Sequence, residues 1–461
     1  MKQLKNIIIL FMISILLLSV SSTAVLAATS ASNNDIKVNS PSCLLIDAKS
    51  GKMLYEKNAY QKMYPASTTK LMTAILTLEH CQLTDVATVS HNAIFSIPIG
   101  YSHANLQEGE KLTVEQLLNV LLIPSANDAA VVLAEHISGS VEEFCKLMND
   151  KAKELGCKNT HFVNPNGIHD KNHYSTAYDL ALIGKYAMQF PDIMRIAMVT
   201  QYTLPKTNKY DKTDRIFNAT NALINNESLN ESYYPYATGL KTGYTDVAGS
   251  CIVSTAKKGN MELIVVILNS DSIEKRYADC ITLFDYGFKN YSYTSLHAAN
   301  DIVKTINIEN ATKETKSLDI AVKDDITVLL NTNIKKDNLT PTIEINSELK
   351  APIAEHTVVG KISYEIDGDV YSSDLLAASS VIPSSFEVLV FRALAIFLIL
   401  YIIYLLLRGG SKKKPSKKAH YAKSKKRGSK SKNFKKIKQD FHSIHNGKGE
   451  FKFTQIANFS D

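Results

Sequence analysis

The alternation of apolar and polar residues divides this chain into segments of different texture. Behind Lys2 and Lys5, an apolar run from Ile7 to Val20 leads to Val25-Leu26-Ala27 at cleavage spacing, which predicts a signal peptide over 1–27 rather than a retained anchor. "SCLLIDAKSGKMLYEKN" predicts strand, Lys-Ser-Gly turn and strand. In "PASTTKLMTAILTLEH", Pro65 and Ala66 lead into a helix whose Leu71, Met72, Ile75, Leu76 and Leu78 form an apolar side. Thr113 and Gln116 then have capping-box spacing for an amphipathic helix that Pro124 stops. A second helix begins at Asn127 or Asp128 and runs to His136, so Ser125-Ala126-Asn127 falls in a tight connection. "ATGLKTGYTDVAGSCIVSTAKKGNMELIVVILN" predicts two or three antiparallel strands, and Asp271 to Phe288 a closing helix.

Beyond Tyr291 the pattern shortens. "IVKTINIEN", "LDIAVK", "ITVLL" and "TIEIN" alternate over a few residues each and predict a small all-β domain, read as a spacer or packing module. Val388 to Leu407 is interrupted by one charge, Arg392, and is long enough to cross a bilayer. A buried core helix is the competing reading, and the basic segment that follows argues against it. The layout expected is a signal peptide (1–27), a main domain (28–290), a small β-rich domain (291–380), a transmembrane helix (386–407) and a tail (408–461). Helices, then hairpins, then a final helix place the main domain in the α+β class, an antiparallel sheet flanked by helices rather than a βαβ series.

Charge changes the picture at the C-terminal end. The formal +7 of the 461 residues combines +14 from Arg408 onward with −7 in the remainder. Lys/Arg-rich flanks stay cytoplasmic, so the expected topology is type I single-pass in the cell membrane, with the main domain extracellular. The exported part is mildly acidic, and the basic tail says nothing about a substrate. "SKKKPSKKAHYAKSKKRGSKSKNFKK" is low-complexity, suited to anionic lipid headgroups and without any folded nucleic-acid reader. The six cysteines are widely spaced without CxxC, and no bridge is assigned; Cys43 and Cys251 sit in strand-like runs as small buried apolar residues. His169 and His173 are four apart, but "NPNGIHDKNHYS" is too rich in Asn, Gly and Pro for a helix and offers no third ligand, so no metal or other cofactor is expected.

Candidate chemistry starts at Ser67 and Lys70, which share a helix face at i and i+3. Either Ser67 caps the helix beside a solvated Lys70, or Lys70 activates Ser67 as a nucleophile. Ser-x-x-Lys and Ser-x-Asn both recur elsewhere in the chain, whereas Lys241-Thr242-Gly243 is the one Lys-Thr-Gly. Their order carries the signal: SxxK opening a helix, SxN between helices at Ser125 and Asn127, KTG on a strand before a hairpin. This is the motif set of penicillin-recognising serine enzymes. "GYSHA" imitates a nucleophile elbow at Ser102, but Pro98 interrupts the run before it and no helix pattern follows, so Ser102 is discarded as a nucleophile.

The chain resembles the low-molecular-mass penicillin-binding proteins that act as D-alanyl-D-alanine carboxypeptidases. "PASTTKLMTA", "LLIPSANDAA", "HFVNPNGIHDKNHYSTAYDLALIGKYA" and "GLKTGYT" stand in that family's order over roughly Asp35 to Asn290, followed by a segment like its second domain. The resemblance implies that Ser67 attacks the carbonyl between two D-alanines and that Lys70, crowded by Lys241, is its base. It implies that Ser125 relays a proton and that Asn127 holds Lys70 or the substrate backbone. The oxyanion would lie between the backbone N–H groups of Ser67 and Tyr244, Lys241 and Thr242 would receive the terminal carboxylate, and Gly243 would admit the peptide. The partners implied are peptidoglycan stem peptides ending in D-Ala-D-Ala and β-lactams as covalent inhibitors. A DD-endopeptidase, a β-lactamase and a non-turnover β-lactam sensor are the competing readings. Departures are Ala126 for the usual glycine, Thr238 for the usual acidic residue, and a full span in place of an amphipathic anchor.

Overall fold

A computed structural model describes residues 36–226 and 231–409. The predicted signal peptide and the tail beyond Gly409 lie outside the described residues. The main domain is built on a five-stranded antiparallel sheet in the order β2-β1-β9-β8-β7, with β1 Ser42–Asp47, β2 Met53–Lys57, β7 Ala237–Thr245, β8 Gly249–Lys258 and β9 Met261–Ser270. Both faces are covered. In β9, Ile264, Val266 and Leu268 enter one core and Leu263, Val265 and Ile267 the other, which explains why "LIVVIL" is an unbroken apolar run. The first core is roofed by the helices between β2 and β7, the second by the long helix Ile273–Asn290. The predicted α+β class holds, as three layers.

The helix predicted from Pro65 arrives in two pieces. Ala66–Thr69 is a 3₁₀ turn, and the α-helix proper, α1, is Lys70–His80. Ala66 has φ of +47°, a left-handed conformation that costs a residue with a side chain and persists where its surroundings hold it. The capping box at Thr113 and Gln116 is formed at the head of α2, Val114–Leu122. After Pro124, helix α3 runs Asn127–Ser138 and ends on Gly139 in the left-handed conformation of a C-terminal cap. Ser125 and Ala126 make the connection, and Ser125 is left-handed too, with φ of +67°.

The β-rich domain follows Ile273–Asn290 directly. Its five-stranded antiparallel sheet runs β11-β12-β16-β15-β14, where β11 is Ile302–Asn307, β12 Ser317–Val322, β14 Thr342–Ile345, β15 Val358–Ile366 and β16 Asp369–Ala377. The Tyr293 hydroxyl donates to Asp47 over 2.7 Å and Lys52 pairs with Asp367 at 2.9 Å, tying this domain to the β1–β2 hairpin. Separately, Ser385–Gly409 forms one helix whose stretch Val388–Arg408 is apolar and long enough to cross a membrane, with its side chains exposed.

Candidate active site

Ser67 sits in the 3₁₀ turn and Lys70 opens α1, so the tighter winding and the helix start stack one side chain above the other. Ser67 makes no capping bond. Lys70 is fully buried, with Nζ 2.8 Å from Ser67 Oγ, 2.7 Å from Asn127 Oδ1 and 2.7 Å from the Asn166 carbonyl oxygen. An ammonium has three protons for these three acceptors, while a neutral amine has two protons and a lone pair. In the neutral form, Asn127 and Asn166 take the two protons and the lone pair faces the Ser67 hydroxyl. Burial holds the Lys70 pKa well below the ordinary lysine value; the charge of Lys241 adds to the depression and Asp128 opposes it. Burial and the Lys241 charge both weaken the ammonium form relative to an ordinary lysine.

The Ser-Ala-Asn connection is fixed from an unexpected side. Ser102, discarded above as a nucleophile, donates from Oγ to the Ser125 carbonyl oxygen at 2.7 Å. Its own carbonyl oxygen accepts from the Asn127 backbone N–H at 3.0 Å and from Nδ2 at 2.8 Å. That orients the Asn127 amide with its oxygen toward Lys70. Asp128 accepts from the N–H groups of Ala104 and Leu106, pinning the same loop, and burial raises its pKa. Ser125 Oγ is buried and has no hydrogen-bond partner among the described residues, which leaves it free for a ligand in the cleft it lines.

Strand β7 carries the third motif past Ser67. Lys241 is buried, donates to the Thr242 carbonyl oxygen at 3.0 Å and has its pKa lowered to about 7, by burial first and Arg276 second. The hydroxyls of Thr242 and Thr220 lie 2.6 Å apart. A Cβ on Gly243 would stand 2.9 Å from the Ser67 backbone nitrogen, so only glycine lets the strand run this close to the turn. The contact brings the N–H of Ser67 next to the strand that bears Tyr244. Thr238, where the resemblance led one to expect an acidic residue, donates to Thr255 Oγ1 across the β7–β8 pair at 2.8 Å.

Several residues of the site escaped the sequence reading. Asn166 and Gly167 belong to the quoted "NPNG" stretch but had no role assigned. Gly167 lies so tightly on the turn that a Cβ there would fall 1.9 Å from the Ala66 carbonyl oxygen. His173 is a buried strut. Its Nδ1 accepts from the Val163 N–H, so its Nε2–H donates to Thr69 Oγ1 at 2.8 Å, two residues from Ser67. Burial holds its pKa near about 3, so the ring is neutral. His169 packs edge-on to Tyr64 instead. Arg276, 3% exposed and reaching the carbonyl oxygens of Gly243 and Cys251, had no local motif to announce it. Ser67, Ser125, Asn127, Thr242, Gly243 and Arg276 line one cleft of about 490 Å³.

A serine beside a buried lysine, an SxN turn and a KTG strand on a helix-flanked antiparallel sheet are the features of the penicillin-recognising serine enzymes. Within that class the chain belongs to the D-alanyl-D-alanine carboxypeptidase family, which matches residues 27–272. Residues 291–383 match the penicillin-binding protein 5 C-terminal domain. It is 32% identical over 380 residues to the D-alanyl-D-alanine carboxypeptidase DacF of Bacillus subtilis, covering 81% of this chain and 94% of the relative. It is 29% identical over 388 residues to the D-alanyl-D-alanine carboxypeptidase DacA of Escherichia coli K12, covering 78% and 90%. Penicillin-binding protein 5 of Haemophilus influenzae superposes with a TM-score of 0.58 at 28% identity, over 75% of this chain and 98% of that one.

Proposed function

We propose that this chain is a serine-type D-alanyl-D-alanine carboxypeptidase that trims the terminal D-alanine from peptidoglycan stem peptides, and that β-lactams acylate the same serine. The observation that carries the reading is the buried Lys70 amine, 2.8 Å from Ser67 Oγ and depressed toward its base form. Ser67 Oγ attacks the penultimate D-alanine carbonyl while its proton passes to Lys70 Nζ. The oxyanion is held by the N–H groups of Ser67 and Tyr244. The C–N bond breaks as the proton reaches the leaving amine through the unpartnered Ser125 hydroxyl, releasing D-alanine. Water then adds to the ester, loses a proton to Lys70 and frees Ser67, leaving the stem with a new carboxylate. Lys241, Thr242 and the Thr220 hydroxyl beside it receive the terminal carboxylate, with the Arg276 cation behind them. No observation favours a β-lactamase or a sensor.

Residues 28–290 would form the catalytic domain and 291–380 the β-rich module that carries it. The helix Ser385–Gly409 would anchor a type I protein, its basic tail cytoplasmic and drawn to anionic lipids. The decisive assay follows D-alanine release from a peptide ending in D-Ala-D-Ala, alongside labelling by a fluorescent penicillin, in the full chain and in Ser67→Ala. Both signals should vanish with Ser67. Labelling without release overturns the carboxypeptidase reading and favours cleavage of cross-links.

A further inference from the structure

The open end of the cleft allows a step beyond that reading, and rests on it. β7 is the edge strand of its sheet and lines the cleft, so an extended peptide is free to pair with it. With the terminal carboxylate at Thr242 and the scissile carbonyl at Tyr244, the acyl side of the substrate points toward Thr245 and Asp246. Both chains advance about 3.3 Å per residue, so the substrate residue before the scissile D-alanine comes beside these two positions. In a stem peptide that residue is a diamino acid, an alkyl arm ending in an amine.

The cleft is built for such an arm at this end. Asp246 is exposed, its Oδ1 accepts from the Tyr244 hydroxyl at 3.0 Å, and among the described residues no basic side chain forms an ion pair with it. The Tyr244 ring is 56% exposed beside it. Ile99 stands fully exposed on the rim, and Ile273 is half exposed. Register places Ile273 here: Tyr244 lies opposite Ser250, and Ser250 opposite Ser270, three residues before it. Among the described residues, the charged ones lining the cleft are Asp246 and Arg276, and Arg276 is buried behind Gly243. The accessible charge is thus a carboxylate at the end of an apolar, aromatic rim.

We infer that Asp246, with Tyr244, Ile99 and Ile273, is a subsite for the side chain of the stem's diamino acid and selects stems whose amine is free over those whose amine is acylated. A free ammonium pairs with Asp246; acylation in a cross-link removes the charge and adds bulk. The subsite therefore directs the enzyme to uncross-linked stems. Ion pairs at exposed sites change an equilibrium by up to about fivefold and weaken with salt.

The test measures D-alanine release by the full chain from Nα-acetyl-L-Lys-D-Ala-D-Ala, with its ε-amine free or acetylated, at low and high salt. The free amine should be preferred about fivefold in kcat/KM at low salt, and less at high salt. Asp246→Asn, which keeps an acceptor for Tyr244, should bring the ratio to about 1, and Asp246→Lys should favour a succinylated amine; penicillin labelling checks that each variant has an assembled site. Equal release from both peptides by the unaltered enzyme, or a ratio unmoved by Asp246→Asn, overturns the inference alone. Release from neither peptide overturns the carboxypeptidase reading and this inference with it.

Discussion

Gly167→Ala tests whether the "NPNG" loop holds the nucleophile turn in place. Gly167 has φ of +85°, where an alanine costs about 1–2 kcal/mol, and its added Cβ would fall 1.9 Å from the Ala66 carbonyl oxygen and 3.0 Å from the Ser67 nitrogen. Both partners are backbone, so neither rotates away. Restoring an ordinary contact of about 3.4 Å requires a relative shift of about 1.5 Å, beyond the 1 Å misplacement that costs about 100-fold in rate. The expected result is penicillin acylation at Ser67 slowed at least about 100-fold, with overpacking and strain together lowering stability by about 1–3 kcal/mol. Gly156→Ala is the matched control: its φ is +84°, and a Cβ there meets nothing within 4 Å. It should share the strain and keep the acylation rate. Stopped-flow acylation and thermal melts of the two variants separate the effects. Acylation by Gly167→Ala within threefold of the unaltered enzyme would refute the claim that this loop positions the turn.

Three further outcomes follow from the same geometry. Lys70→Met should slow acylation by about 100- to 10,000-fold, the ordinary worth of a positioned base; a loss under tenfold rules Lys70 out of that role. Acylation should rise with pH and level off above the depressed pKa of Lys70; because the charge of Lys241 helps to lower that pKa, Lys241→Gln should carry the rising limb to higher pH, and a limb that stays put removes Lys241 from the base's electrostatics. His173 has a folded pKa near about 3, below its ordinary 6.5, so the unfolded chain binds the extra proton. Stability should therefore be fully present above about 6.5 and fall as pH drops toward 3, by at most about 1.4 kcal/mol per pH unit, a slope that denaturant midpoints should find flattened in His173→Ala.

What the sequence showed depended on range. The Thr113–Gln116 capping box, the β1–β2 hairpin and the interhelical turn at Ser125 are written in neighbouring residues, and each formed where expected. The pattern of β9 was read only as a strand; that both its faces are buried, and by which residues, depends on segments far along the chain. The split at Ala66 was illegible, because a left-handed alanine is imposed by Gly167 and Gly243 pressing on the turn from far along the chain. Arg276 was equally silent: it reaches the site from a helix through two carbonyl oxygens, and an arginine on an amphipathic helix carries no local mark of that. Ser102 was read for the wrong trait. Its loop context excluded a nucleophile, but the neighbouring backbone that needed a donor lay 23 residues away at Ser125.

The proton inventory at Lys70 is what would let a lysine serve in the proposed reaction without a histidine. Burying an amine is tolerable when each of its protons has an acceptor, and Asn127 and Asn166 provide two acceptors for the two protons of the neutral form. The third acceptor is Ser67 Oγ itself. Once Ser67 has surrendered its proton and its oxygen belongs to an ester, that oxygen is a poor acceptor, and the new ammonium is left buried beside Lys241 with one proton badly placed. In the proposed reaction the same burial that makes Lys70 a base also makes its protonated form an acid. The outlet proposed is Ser125, whose hydroxyl is buried in the cleft wall with no partner among the described residues. In that reaction the acid and base strength of this lysine would be set by what Ser67 Oγ is bonded to, and would change within one turnover.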